Sequence, residues 1–177
     1  NMLETMYYAP GIGLAANQVG ILSQLLVVDV DYELDDMEEA KVGQSHIVAG
    51  RVVTRKNPIV LINPRLTFQE GSATTEEGCL SVPDFQADVK RAEKIKVEYQ
   101  DLDGLTKVLA ADGLLAVAIQ HEMDHLEGRL FIDRLSSLKK EMVRKKLRLD
   151  RLLRDEEDRM GVFVPGHEAV SRRKKGF

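Results

Sequence analysis

The residues Gln120-His121-Glu122-Met123-Asp124-His125-Leu126-Glu127-Gly128 constrain this chain more than any other stretch. They read as the end of a helix that starts at Asp112 or Gly113. Leu114, Leu115, Val117, Ala118, Ile119 and Leu126 supply its apolar periodicity. Gly128 suits the position just past the helix end, where positive φ is wanted. Residues four apart on a helix lie on one face, one turn apart, so His121 and His125 point at the same spot. Two imidazoles held that way are part of a metal site. Glu122 is too close in sequence to His121 to point the same way as a third ligand. It suits proton transfer on a water beside the metal.

Upstream, residues Asn1 to Tyr8 carry helical character, with Met2, Leu3 and Met6 on one face. No capping signal precedes Asn1, which predicts a start inside a helix and a missing N-terminal piece. Ala9-Pro10-Gly11 ends this helix. Gly11-Ile12-Gly13-Leu14-Ala15-Ala16-Asn17-Gln18-Val19-Gly20 then reads as a tight turn feeding a strand, its early glycines marking backbone that passes close to something. A phosphate cradle also begins this way, but no strand precedes these glycines and no Gly-Lys-Ser/Thr follows, which argues against nucleotide binding. Gln18 is the one polar side chain there suited to chemistry, as a neutral hydrogen-bond donor.

Leu25 to Val30 reads as a buried strand. Asp31 to Asn57 is a long acidic loop, with a hairpin around Ile47 to Val53. Ile59 to Ile62 is a strand bounded by Pro58 and Pro64, and Arg65 to Gln69 and Ser72 to Thr75 are short strand pieces. Lys94 to Tyr99 alternates apolar and charged residues as a strand with one wet face. Asp103-Gly104 is a hairpin signal, and Thr106 to Ala110 pairs back. After the central helix, Ser136 or Ser137 caps a basic amphipathic helix from about Leu138 to Leu153. Its ordinary role is a solvated face; its functional alternative is docking on an acidic partner such as ribosomal RNA. Residues 154–177 read as a charged, flexible tail.

The histidine pair needs a third ligand. The extended zinc pattern His-Glu-x-x-His-x-x-Gly-x-x-His fails here, because its last position is Phe131. His46 lies in a loop and His167 in the tail, and Glu141 or Asp150 has no supporting pattern. Cys79, on the constrained backbone Glu76-Glu77-Gly78-Cys79-Leu80-Ser81-Val82-Pro83, is the best remaining candidate. Its ordinary role is that of a small buried hydrophobe. As a thiolate it would bind a divalent metal strongly. Two histidines and a cysteine leave a fourth position open, as catalytic sites do.

Three segments, Gly11-Ile12-Gly13-Leu14-Ala15-Ala16-Asn17-Gln18, Glu77-Gly78-Cys79-Leu80-Ser81 and Gln120-His121-Glu122-Met123-Asp124-His125-Leu126, resemble the three motifs of the peptide deformylase family, in the family's order. The resemblance runs from roughly Met2 to Leu153. It implies an α+β fold, with antiparallel sheets wrapped around the helix that bears the histidines and a C-terminal helix. It implies a metal on Cys79, His121 and His125, natively Fe2+, with Zn2+, Ni2+ or Co2+ able to replace it. The implied reaction removes the formyl group from the initiator methionine of new polypeptides, with Glu122 moving the proton. Gln18 and the Leu80 backbone N–H would stabilise the oxyanion. Leu114, Val117 and Ala118 share the histidines' face and would wall a pocket for methionine, with Ile12 and Gly13 bordering it. The implied setting is a bacterial cytoplasm or an organelle of bacterial origin. Three departures stand out: the long stretch Asp31 to Asn57, Gln86 where some relatives carry arginine, and a tail after Met160 without a counterpart.

Bulk properties agree with such an enzyme. The chain has 177 residues, enough for one domain with a core. It holds no apolar run of the roughly 20 residues a membrane helix needs. Its single cysteine fits a reducing cytosol. A net charge of −4 argues against general binding to DNA.

Overall fold

A computed structural model describes residues 1–36, 47–48 and 51–160. Much of the long acidic loop, both remaining histidines (His46 and His167) and residues 161–177 of the tail lie outside the described residues. The chain divides into two units, residues 1–135 and 136–177.

The first unit carries the chemistry. It opens with helix α1 (Met2–Tyr8), where the Asn1 side chain itself caps the helix by accepting from the Leu3 N–H at 3.2 Å. Strand β1 (Gly13–Ala15), a 3₁₀ turn (Ala16–Val19) and β2 (Leu25–Val28) follow. Strands β3 (Glu33–Asp36), β4 (Ile47–Val48) and β5 (Arg51–Thr54) form a small sheet in the order β3-β5-β4. The β4–β5 pairing, Ile47 against Val52, is the hairpin expected in the long loop. Next come β6 (Ile59–Glu70), β7 (Ala73–Cys79), β8 (Val82–Arg91), β9 (Lys94–Gln100) and β10 (Thr106–Asp112). Helix α2 (Gly113–Leu126) and a 3₁₀ turn (Phe131–Arg134) close the unit. The main sheet is antiparallel in the order β1-β2-β6-β9-β10, and β7 pairs with β8 alone.

Strand β2 shows why its sequence reads as a continuous apolar run. Leu26 and Val28 enter a core cluster with Leu61, Ile95, Val97, Ala116 and Ile119. Val27, on the opposite face, joins Met6, Tyr7, Leu14 and Val53. Both faces are covered, so polar alternation is absent. Strand β9 has one wet face, as its alternation predicted, and Ile95 and Val97 are buried. Helix α2 lies where the sequence puts it, and Gly128 takes φ 71° beyond its end.

Several boundaries differ from the sequence reading. Ile59 to Ile62 and Arg65 to Gln69 are one strand of 12 residues that runs through Pro64. The pairing with β9 shifts register between Ile62 and Arg65, and Asn63 sits at φ 52°. A proline at a bulge removes no ladder hydrogen bond, so it does not end the strand. Ser72 to Thr75 covers only the start of β7. Strands β3 and β8 have no counterpart in the sequence reading, because charged residues interrupt their apolar pattern. The stretch Gly11 to Gly20 feeds a strand as expected, and adds a 3₁₀ turn that the sequence reading lacked.

The second unit is α3 (Ser137–Met160), with Ser136 Oγ accepting from the Lys139 N–H at 3.4 Å. The helix continues beyond Leu153, into residues expected to belong to the tail. Arg, Glu and Met are strong helix formers, and neither glycine nor proline interrupts the chain before Gly161. Among the described residues no helix is long and apolar enough to cross a membrane.

Candidate metal centre

Three elements meet at the site. Helix α2 presents His121 and His125 one turn apart, with ring centroids 4.9 Å from each other. The end of β7 brings Cys79, whose Sγ lies 3.2 Å from His125 Nε2. One ligand atom from each of Cys79, His121 and His125 falls within a span of 4.8 Å. The 3₁₀ turn after β1 brings Gln18. Its Oε1 accepts from the Ala15 N–H at 2.9 Å, which turns the amide nitrogen to the site. That nitrogen lies 3.8 Å from Cys79 Sγ and 3.2 Å from Ser81 Oγ.

The electrostatics favour a cation among these ligands. Burial pushes the Cys79 thiol up, but hydrogen bonds from His121 and His125 outweigh it and bring the thiol down to about 5. The thiolate is the metal-binding form. Burial lowers His121, while bonding to Cys79 and Glu77 raises it to about 9, an environment rich in negative charge. Two imidazoles and a thiolate fit a borderline divalent metal such as zinc, iron, nickel or cobalt. Glu77 Oε2 lies 2.8 Å from His121 Nδ1, the outer carboxylate that such ligands usually carry.

Glu122 lies beside the cluster and is buried, and its Oε2 has no hydrogen-bond partner. Burial raises its carboxyl to about 7. Gly13 explains the close backbone approach expected from its sequence. A Cβ placed there would come within 2.5 Å of Glu122 Oε1, so glycine leaves the room that the carboxylate occupies. The nucleotide reading of these glycines has no support in this geometry.

A cavity of about 840 Å³ opens over the cluster. Ile12, Gly13, Leu80, Leu114, Val117 and Ala118 line it together with Cys79, His121, Glu122 and Gln18. The site residues that the resemblance implies all border this space except His125, which is buried. Gln86 lines it as well. Phe131, where the longer zinc pattern would place its third histidine, stacks on the His121 ring with centroids 6.2 Å apart.

Sequence reasoning missed several residues behind the ligands. Glu77 carried a readable signal: two residues before Cys79 on a strand, it shares the cysteine's face. Arg91 lies on the unforeseen β8, and Asp124 was passed over inside the histidine motif. Asn17, next to Gln18, donates its side-chain amide to the His125 carbonyl. That carbonyl belongs to the last helical turn and also accepts from the Gly128 N–H at 2.9 Å.

A thiolate and two imidazoles gathered beside a buried carboxylate with one unpartnered oxygen define the class as a metallohydrolase. The polypeptide deformylase family matches residues 1–141. Peptide deformylase 2 of Xanthomonas campestris pv. campestris is 49% identical over 147 residues, which span 83% of this chain and 74% of that protein. A crystal structure of a peptide deformylase from Legionella pneumophila has a TM-score of 0.68 at 40% identity, covering 87% of this chain and 79% of that one. A peptide deformylase from Synechococcus elongatus, in complex with actinonin, has a TM-score of 0.64 at 44% identity, covering 82% and 70%. The chain belongs to the polypeptide deformylase family.

Proposed function

We infer that this deformylase works with one divalent metal ion on Cys79, His121 and His125, and that the ion is natively Fe2+, with Zn2+, Ni2+ or Co2+ as substitutes. The family's activity is hydrolytic: the formyl group leaves the initiator methionine of new polypeptides. The observation that carries the site reading is the grouping of the three ligand atoms within 4.8 Å beside buried Glu122. A bound metal would supply Lewis acidity at the formyl carbonyl and lower the pKa of water there.

The side chains do the rest. Glu122 takes a proton from the attacking water and returns it to the leaving amine nitrogen. The C–N bond of the formamide breaks, giving formate and a free amine. The Gln18 amide and the Leu80 backbone N–H donate to the oxyanion that develops on the formyl oxygen. Val117, Ala118 and Leu114 offer an apolar wall for the methionine side chain, and Ile12 and Gly13 border the peptide. We place this working domain within residues 1–153, in a bacterial cytoplasm or an organelle of bacterial origin. The basic residues of α3, among them Lys139, Arg144 and Arg148, would give contact with ribosomal RNA that weakens as salt rises.

One assay separates this reading from that of an ordinary peptidase. Protein purified without oxygen should carry about one metal per chain, by the ligand set above. It should release formate from formyl-Met-Ala and leave Met-Ala intact. Cleavage of the unformylated dipeptide would overturn the reading. Equal rates on formyl-Met, formyl-Gly and formyl-Asp peptides would remove the methionine pocket.

A further inference from the structure

We propose that Arg134, on the 3₁₀ turn after α2, is a positioning residue for His121 and acts through a buried chain of alternating charges. The proposal rests on the metal reading of the Cys79–His121–His125 cluster. His121 Nδ1 lies 2.8 Å from Glu77 Oε2. Arg91 donates to that same oxygen from Nη2 at 2.7 Å, and from Nε to the other carboxylate oxygen. Arg91 Nη1 reaches forward to Asp124 Oδ2 at 2.9 Å. Arg134 then grips both oxygens of Asp124, at 2.6 Å each. The chain crosses β7, β8, α2 and the 3₁₀ turn, and every link lies within the first unit.

Burial makes the links depend on one another. The Arg91 side chain is 0% exposed, and those of Glu77 and Asp124 are 5% exposed each. The Arg134 side chain, at 36%, is the only one of the four with substantial access to water. Two buried carboxylates face one buried guanidinium, which leaves one negative charge over. Arg134 cancels it. Without Arg134, Asp124 keeps Arg91 as its only cation in the chain and draws it away from Glu77. Glu77 then loses the donors that fix its oxygens, and the contact to His121 Nδ1 loosens. That contact selects which ring nitrogen is left for the metal.

The test uses Co2+ as the probe, with affinity measured by competition against a chromophoric chelator and the ligand-field spectrum recorded in parallel. Wild-type protein should bind Co2+, and Cys79→Ser should abolish the thiolate absorption. If wild-type protein binds no Co2+, the metal reading itself fails. Given wild-type binding, Arg134→Met should weaken Co2+ affinity roughly tenfold, as loss of outer support does, and should alter the spectrum. Arg134→Lys, which keeps the charge but not the two-pronged grip, should recover part of both. In a Glu77→Gln background the effect of Arg134→Met should shrink towards none, because the intermediary is gone. A lower melting temperature for metal-free Arg134→Met, with wild-type Co2+ affinity and spectrum, would mean a merely structural ion pair and overturn the proposal. So would an Arg134→Met effect that persists in full beside Glu77→Gln. If Arg134→Met does not fold, Arg134→Lys against wild type carries the same comparison.

Discussion

The two sides of α2 are built from different materials. On the sheet side, Ala116 and Ile119 pack with Leu26, Val28, Leu61, Ile95 and Val97. Those contacts have no direction and depend on volume. On the hairpin side, the helix meets Glu77 and Arg91 of β7 and β8, joined through Asp124 and His121. Those contacts are directional, and each depends on the next. The apolar side fixes where the helix lies. The charged side fixes how the His121 ring points, and so ties the ligand geometry to the buried charges behind it.

Substitutions on the two sides should therefore fail in different ways. The largest effect is expected from Glu122→Ala, which should cut formate release by roughly 10²–10⁴-fold. Melting temperature and metal content should stay near wild type. A variant that keeps wild-type turnover would remove Glu122 from the proton path. Arg91→Met leaves buried Glu77 without a guanidinium and Asp124 with Arg134 alone, and should destabilise the fold by about 3–5 kcal/mol. Urea denaturation of the metal-free protein would measure this, and a loss near zero would mean the chain of charges bears no strain.

Ile119→Ala tests the apolar side. Its fully buried side chain should cost about 2–5 kcal/mol. The folded fraction should keep its kcat/KM, and a matching drop in kcat would blur the contrast between the two sides. The smallest effect is expected from Gly13→Ala. Its new methyl group meets the Glu122 carboxylate and should displace it, lowering kcat roughly tenfold to a hundredfold with little change in stability. Unchanged kinetics would show that Glu122 has room to move.

Much of the site was legible because its spacing is local. His121, Glu122 and His125 sit within one turn and a half of helix, so periodicity alone places them. Gly13 and Gln18 were legible as an unusual backbone and a polar side chain suited to chemistry. Glu77, Arg91, Asp124 and Arg134 were not read, because a charged residue in a sequence looks solvated until its partner is known. The same blindness hid β8, whose inward face ends in Arg91. Pro64 misled for another reason: a proline ends a strand in general, and only the β6–β9 register reveals a bulge.

By itself, the sequence determined the helix, its two imidazoles, the neighbouring carboxylate and a single cysteine as candidate third ligand. These follow from a 3.6-residue repeat and from the chemistry of individual side chains. Only the tertiary structure decided that Cys79 arrives at His125, that Gly13 yields its space to Glu122, and that four charges line up behind His121. Those are encounters between strands and turns distant along the chain. They are set by sheet register and burial, which no local pattern encodes.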